Sequence, residues 1–173
     1  FDADGDGWLD LYIVNGAPMP GYERPTAGNA HFRNMGDATF KDVTAQAGTG
    51  DTAFGMGAAV GDFDNDGDAD LYLSNYGPNV LYRNRGDGVF DDISAQAGVD
   101  DPRWGVHAAF VDYDMDGDLD LYNANYMNFD PAKNEACFAG TERAYCGPTT
   151  YEGQEGVLYR NDGDAVFTDV TRQ

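Results

Sequence analysis

Three short stretches of the chain space their carboxylates in a way that suits one task, the holding of a hard cation. They are Asp2-Ala3-Asp4-Gly5-Asp6-Gly7-Trp8-Leu9-Asp10, Asp62-Phe63-Asp64-Asn65-Asp66-Gly67-Asp68-Ala69-Asp70 and Asp112-Tyr113-Asp114-Met115-Asp116-Gly117-Asp118-Leu119-Asp120. Like charges packed this closely repel and desolvate one another unless a positive ion sits among them. Each stretch fits D-x-D-x-D-G-x-x-D. Side-chain oxygens at positions 1, 3, 5 and 9 and the carbonyl at position 7 would supply oxygen ligands to a calcium ion, and Gly at position 6 permits the tight bend. The candidate ligands are Asp2, Asp4, Asp6 and Asp10 with the Trp8 carbonyl, then Asp62, Asp64, Asp66 and Asp70 with the Asp68 carbonyl, then Asp112, Asp114, Asp116 and Asp120 with the Asp118 carbonyl. An all-oxygen set excludes zinc and copper, and the crowding of anionic groups favours calcium over magnesium, which keeps its waters. An EF-hand is ruled out because its twelfth position supplies a bidentate Glu, and Ile13, Leu73 and Asn123 stand there. For the first stretch a second register, with Phe1 matched to Phe63, is also open and would bring the closing Asp two residues late.

The elements that position these stretches repeat with them. Asp62 to Asp112, Arg33 to Arg83 and Phe40 to Phe90 are each 50 residues apart. In the middle copy the small and apolar run 53–60 reads as strand A, the acidic loop follows, 70–75 reads as strand B, 79–84 as strand C, the turn Arg85-Gly86-Asp87-Gly88 as a hairpin and 89–94 as strand D. The first copy lacks strand A and has B, C and D at 10–15, 31–34 and 39–44. The third has A at 104–111, then its acidic loop and strand B, then C and D at 157–161 and 166–171. Four short strands per repeat of this period predict an all-β chain, a β-propeller of four-stranded antiparallel blades with a calcium loop between strands A and B. The blades are expected at 1–50, 51–100 and 101–173. About three blades are too few to close a ring alone, so the chain reads as a piece of a longer protein or as one that self-associates through open blade edges.

Insertions fall in one place. From the last loop Asp to the Arg of strand C the chain runs 13 residues in the middle copy, 23 in the first and 40 in the third, so the inserts 16–30 and 126–155 both lie between strands B and C. In an up-and-down blade that connection emerges on the face opposite the acidic loops, and variable loops gathered on one face of a repeat array suit partner binding. Tyr22, Phe129, Phe138 and Tyr145 are the candidate contact aromatics. Cys137 and Cys146 lie in the longer insert and read as a disulfide staple of an oxidising compartment. A redox or metal pair is the alternative, which no C-x-x-C spacing supports.

Charge narrows the partner class. The chain has 31 acidic against 10 basic residues and a formal net charge of -21, which argues against nucleic acid and anionic membrane surfaces. Fourteen of those acids, four in the first loop and five in each of the others, belong to the acidic loops. No apolar run is long enough to span a membrane, and 42% hydrophobic content supports a folded core. His31 and His107 stand far apart in the repeat without a positioned carboxylate, so they read as satisfied or channel-lining groups. Tyr12, Tyr72 and Tyr122 recur at one position and read as blade packing.

The run Phe54-Gly55-Met56-Gly57-Ala58-Ala59 before an acidic loop resembles the FG-GAP repeat of integrin α-subunit propellers and of bacterial VCBS or integrin-like repeat proteins. The Leu-Tyr-Arg-Asn strands, and Cys137 with Tyr145-Cys146-Gly147-Pro148, are closer still to the cartilage acidic protein 1 and ASPIC/UnbV family. The resemblance implies an extracellular or periplasmic, calcium-binding propeller of seven blades whose usual role is interaction rather than catalysis. The expectation is therefore a non-enzymatic adhesion, binding or assembly module. It holds about three structural calcium ions and reads a protein or glycan through its B-to-C loops. The alternative is part of a propeller enzyme acting on polysaccharide, a lyase or dehydratase with catalytic groups outside this segment.

Overall fold

The computed structural model describes residues 1–172 apart from 19–22, 24 and 26, so Tyr22 lies outside the described residues. Thirteen strands are described in four antiparallel sheets. The first sheet is β1 (Leu11–Ile13), β2 (Ala30–Asn34) and β3 (Phe40–Asp42), in that order. The second is β4 (Phe54–Gly61), β5 (Asp70–Tyr76), β6 (Val80–Asn84) and β7 (Phe90–Asp92), again in chain order. The third joins β8 (Gly105–Val111), β9 (Asp120–Asn125), β12 (Val157–Asn161) and β13 (Phe167–Asp169). Between β9 and β12 the long insert forms its own ribbon, β10 (Cys137–Ala139) with β11 (Glu142–Ala144), and the two cysteines are joined as a disulfide.

The sheets pack face to face, and strand β5 shows why its sequence lacks the polar-apolar alternation of a half-exposed strand. Every residue from Asp70 to Asn75 is buried, because the first sheet covers one side and the third the other. Leu71, Leu73, Tyr82 and Phe90 pack toward Tyr12, Val14 and Ala47 of the first repeat. On the opposite side Tyr72, Leu81, Ile93 and Val99 meet Leu121, Val157, Tyr159 and Phe167. Each fully buried apolar side chain of this kind contributes about 1.5–3 kcal/mol.

Strands β4 and β8 lie against each other, and glycines of β4 let them approach. A Cβ on Gly57 would come within 2.9 Å of the Val106 carbonyl, and one on Gly61 within 2.8 Å of the Phe110 ring. A bulge interrupts the ladder between Gly55 and Gly57, and another between Gly105 and His107.

Beyond the all-strand expectation there are two short α-helices and, in the long insert, two 3-10 turns at Pro131–Lys133 and Pro148–Thr150. Helices α1 (Thr44–Ala47) and α2 (Ser94–Ala97) follow the last strands of the first two sheets. Asp42 and Asp92 each accept from the backbone N–H and the hydroxyl two residues on, and Gly48 and Gly98 end the turns in the left-handed conformation. Among the described residues no helix is long and apolar enough to cross a membrane.

Candidate metal centres

Each acidic loop is tied by its own carboxylates before any ion is considered. The position-9 Asp is the anchor. Asp70 takes the Phe63 N–H on Oδ2 at 3.0 Å and the Asn84 N–H on Oδ1 at 2.8 Å. Asp10 takes Ala3 and Asn34 in the same way, and Asp120 takes Tyr113 and Asn161. These matched bonds select the register of the first loop that begins at Asp2, since Ala3 stands where Phe63 and Tyr113 stand. All three anchors are buried, and burial, against the hydrogen bonds from Asn84 and Phe63, pushes the Asp70 carboxyl up to about 7.

Position 1 closes the loop over itself. Asp2, Asp62 and Asp112 accept from Gly7, Gly67 and Gly117 at 2.8, 3.0 and 3.2 Å. Position 5 accepts from the N–H of position 7, so Trp8, Asp68 and Asp118 each donate at 2.9 Å to Asp6, Asp66 and Asp116. The glycines at position 6 have φ of 86°, 95° and 100°, which a side chain would strain.

Some carboxylate oxygens are left unanswered. Asp4 Oδ1 and Asp64 Oδ1 at position 3, and Asp2 Oδ1 at position 1, are buried and accept no hydrogen bond. Burial and the neighbouring Asp66 raise the Asp64 carboxyl above its ordinary value. An unanswered buried carboxylate oxygen is costly, and a cation would answer it. Oxygens of Asp2, Asp4 and Asp6 lie within 4.8 Å of one another, as do those of Asp62, Asp64 and Asp66; in the third loop the grouped residues are Asp112, Asp114 and Asp120. The donor set is all carboxylate oxygen, which fits a hard divalent ion.

The loops also join neighbouring sheets. Asn84 Nδ2 donates to the Ala3 carbonyl of the first loop, and Asn161 Nδ2 to the Phe63 carbonyl of the second, both at 2.8 Å. Asn65 Nδ2 reaches Asp118 Oδ1 at 2.8 Å. The C-to-D turns lie at this same end, with Gly36 against the Trp8 ring and Gly86 against the Asp68 carboxylate.

At the opposite end a second polar belt appears, which the loop motif does not announce. Asp51 and Asp101 each accept a side-chain amide, from Asn75 and Asn125, at 3.0 and 2.9 Å. Their carbonyls accept from Asn29 and Asn79, and the Asn29 and Asn79 side chains in turn accept from Asn15 and Asn75. The 50-residue recurrence of Asp51 with Asp101, Asn75 with Asn125 and Asn29 with Asn79 was the available signal. This belt ties the bases of the B-to-C loops to the D-to-A connections, so the inserts emerge away from the acidic loops.

The insert aromatics divide. Trp104 meets Tyr76, Tyr126 and Phe129 at ring distances of 5.1, 5.4 and 5.6 Å, and Phe129 meets Tyr151 at 5.3 Å. Phe129 thus helps to anchor the insert on the sheets, while Phe138 and Tyr145 are exposed. Beside the disulfide, Asn134, Glu135, Arg143, Tyr145 and Tyr151 line an open cleft of about 550 Å³. His31 and His107 lie in different sheets. His31 is buried and stacks on Phe1, and burial lowers its imidazole below the ordinary value. Tyr72 is packing, its hydroxyl donating to the Val99 carbonyl, but Tyr122 is half exposed.

No curated protein matches the chain. The FG-GAP-like repeat model matches residues 2–73 and 62–122. Those spans take in all three acidic loops and the whole of β4, β5, β8 and the strands that cross between them. With more than half of its length matched, the chain belongs to the FG-GAP-like repeat family.

Proposed function

We propose that this chain is a calcium-binding stretch of a β-propeller, one blade per repeat, in which the ion is structural and the partner is met at the opposite end. The observation that carries the metal reading is Asp64 Oδ1, buried and without a donor, grouped with oxygens of Asp62 and Asp66 within 4.8 Å. A calcium ion there would answer the orphan oxygen and offset the repulsion of the cluster. Asp10, Asp70 and Asp120 already hold backbone N–H groups through both oxygens, so they would bind the ion through remaining lone pairs while fixing the loop.

The module acts without catalysis, by presenting the B-to-C inserts to a protein or glycan outside the cell. Exposed Phe138 and Tyr145 beside the cleft at the disulfide support that reading, and a disulfide persists in an oxidising compartment. The finer kinship with the ASPIC/UnbV group rests on the Tyr145-Cys146-Gly147-Pro148 run and the Leu-Tyr-Arg-Asn strands.

Calcium sites of extracellular modules bind at about 0.1–1 mM, so at a few millimolar free ion each adds about 0.5–2 kcal/mol. A thermal melt in calcium and in EDTA is the test. Calcium should raise the midpoint by several degrees, with magnesium much less effective. Superimposable melts overturn the metal reading, and a glycan array with and without calcium examines the partner class separately.

A further inference from the structure

We propose that the second and third acidic loops bind calcium as a coupled pair through the Asn65 side chain, while the first loop titrates apart from them; this rests on the calcium reading above. At both junctions between neighbouring sheets the loops share one link. The Asn that ends strand C holds its own loop's anchor through its N–H and the preceding loop's position-2 carbonyl through Nδ2, Asn84 with Asp70 and Ala3, and Asn161 with Asp120 and Phe63. A link present at both junctions sets neither apart.

A second bond is made at one junction only. Position 4 is left-handed in every loop, with φ of 70° at Gly5, 57° at Asn65 and 63° at Met115. Asparagine tolerates that conformation better than most side chains, and the Asn65 amide crosses the junction to donate to Asp118 Oδ1 at 2.8 Å and to the Gly117 carbonyl at 3.3 Å. Gly5 has no side chain with which to reach Asp68, which stands at position 7 of the second loop. The position-7 side chains differ accordingly. Trp8 lies on Gly36 and Asp68 on Gly86, each the glycine of its own C-to-D turn, whereas Gly163 of the third turn has nothing within 4 Å of where a Cβ would stand. Asp118 joins the neighbouring loop instead of its own turn.

The bond joins two residues that metal binding would order. Asn65 stands between Asp64 and Asp66, candidate ligands of the second loop, and Asp118 carries the position-7 carbonyl of the third. Filling either loop fixes one end of the bond, so the other loop has less freedom left to lose when it is filled in turn. The opposing effect is the field of one ion at the next site, which salt at about 0.15 M screens over about 8 Å. That field acts at both junctions, whereas the amide bridge acts at one. Coupling is reciprocal, so each of the two loops should raise the other's affinity by the same factor.

Amide NMR of the 173-residue chain, titrated with calcium chloride in about 0.15 M salt, reads the sites one by one through Gly7, Gly67 and Gly117, whose N–H groups bond the position-1 carboxylates. Asp114→Ala removes a candidate ligand of the third loop and should raise the calcium midpoint at Gly67 about fivefold, and Asp64→Ala should do the same at Gly117. Asp4→Ala should move the Gly67 midpoint less than about twofold. In an Asn65→Gly background, which keeps the left-handed backbone and deletes the amide, Asp114→Ala should no longer move Gly67. Asp118→Ala deletes the acceptor but keeps the carbonyl, and should abolish the coupling from the other end of the bond. Circular dichroism verifies that each variant is folded. An Asp114→Ala effect of equal size with and without the Asn65 amide overturns the coupling and leaves the calcium reading standing, as does an equal effect of Asp4→Ala. Glycine signals that do not respond to calcium at all overturn both.

Discussion

In the first acidic loop the guanidinium of Arg33 lies on Asp4 and Asp6 at 2.7 and 2.9 Å. In the second, Arg83 holds the same place in the repeat but turns to Asp91, 3.9 Å away. The cause sits on the neighbouring strand. Arg83 pairs across the sheet with Asp91, whereas Arg33 pairs with Lys41, and a like charge there turns it toward the loop. The third loop follows the second, since Arg160 faces Thr168 and joins Asp162. Hydrogen bonding from Arg33 holds the Asp6 carboxyl below its ordinary value, while at position 3 burial raises the Asp4 carboxyl despite the neighbouring Arg33, as it raises that of Asp64. The first loop thus carries an internal counter-cation that a calcium ion, were it to bind as proposed, would have to displace, and the same motif answers its charge differently across from Lys41, eight positions downstream of the arginine.

The sharpest way to break this comparison is to neutralise position 3 in each loop. Asp64→Asn should remove about 0.5–2 kcal/mol of calcium-dependent stability, yet leave the calcium-free protein as stable as wild type or more so, because it relieves repulsion in the cluster. Asp4→Asn should lose less in calcium and gain nothing in EDTA, since it also gives up its contact with Arg33. Urea unfolding with and without calcium reads both, and equal responses would show the two loops to be equivalent.

A smaller effect is expected from redirecting the arginine. Lys41→Asp restores the charge pattern of the second sheet and should tighten the weakest calcium site about threefold to fivefold, the worth of a surface ion pair of ~0.6–1 kcal/mol. Calorimetric titration would detect it, and no change would mean that Arg33 does not compete.

The smallest effect lies at the other end and serves as a metal-independent reference. Burial acts to raise the Asp101 carboxyl, but hydrogen bonds from Arg103 and Asn125 outweigh it and hold it below 3.8. A carboxylate lowered in the folded state adds stability that is present above its unfolded value and lost as pH falls through the folded one. In EDTA, the stability difference between wild type and Asp101→Asn should therefore be constant near neutrality and shrink below about pH 4. A difference that does not change on acidification would remove this pair from the acid response.

Much of this architecture was legible because repetition is visible in one dimension. The 50-residue spacing, the acidic loops and the paired cysteines needed no coordinates, and the strands fall within a few residues of their expected places. The short helices were missed although Asp-x-Thr-Ala-Gln-Ala-Gly and Asp-x-Ser-Ala-Gln-Ala-Gly carry a start and a stop signal; the strand pattern on either side outweighed them. Phe129 was expected to face a partner and instead packs on Trp104, since hydrophobic type alone does not say which side of an insert is covered.

The sequence by itself determined the all-β class, the repeat and the oxygen-rich loops, because each depends on local spacing and side-chain type. Only the tertiary structure decided which oxygens were left unanswered and where Arg33 went. Those outcomes depend on groups that lie far apart in the chain, such as Asn161 with Phe63 or Asn65 with Asp118, and meet only when the sheets are packed.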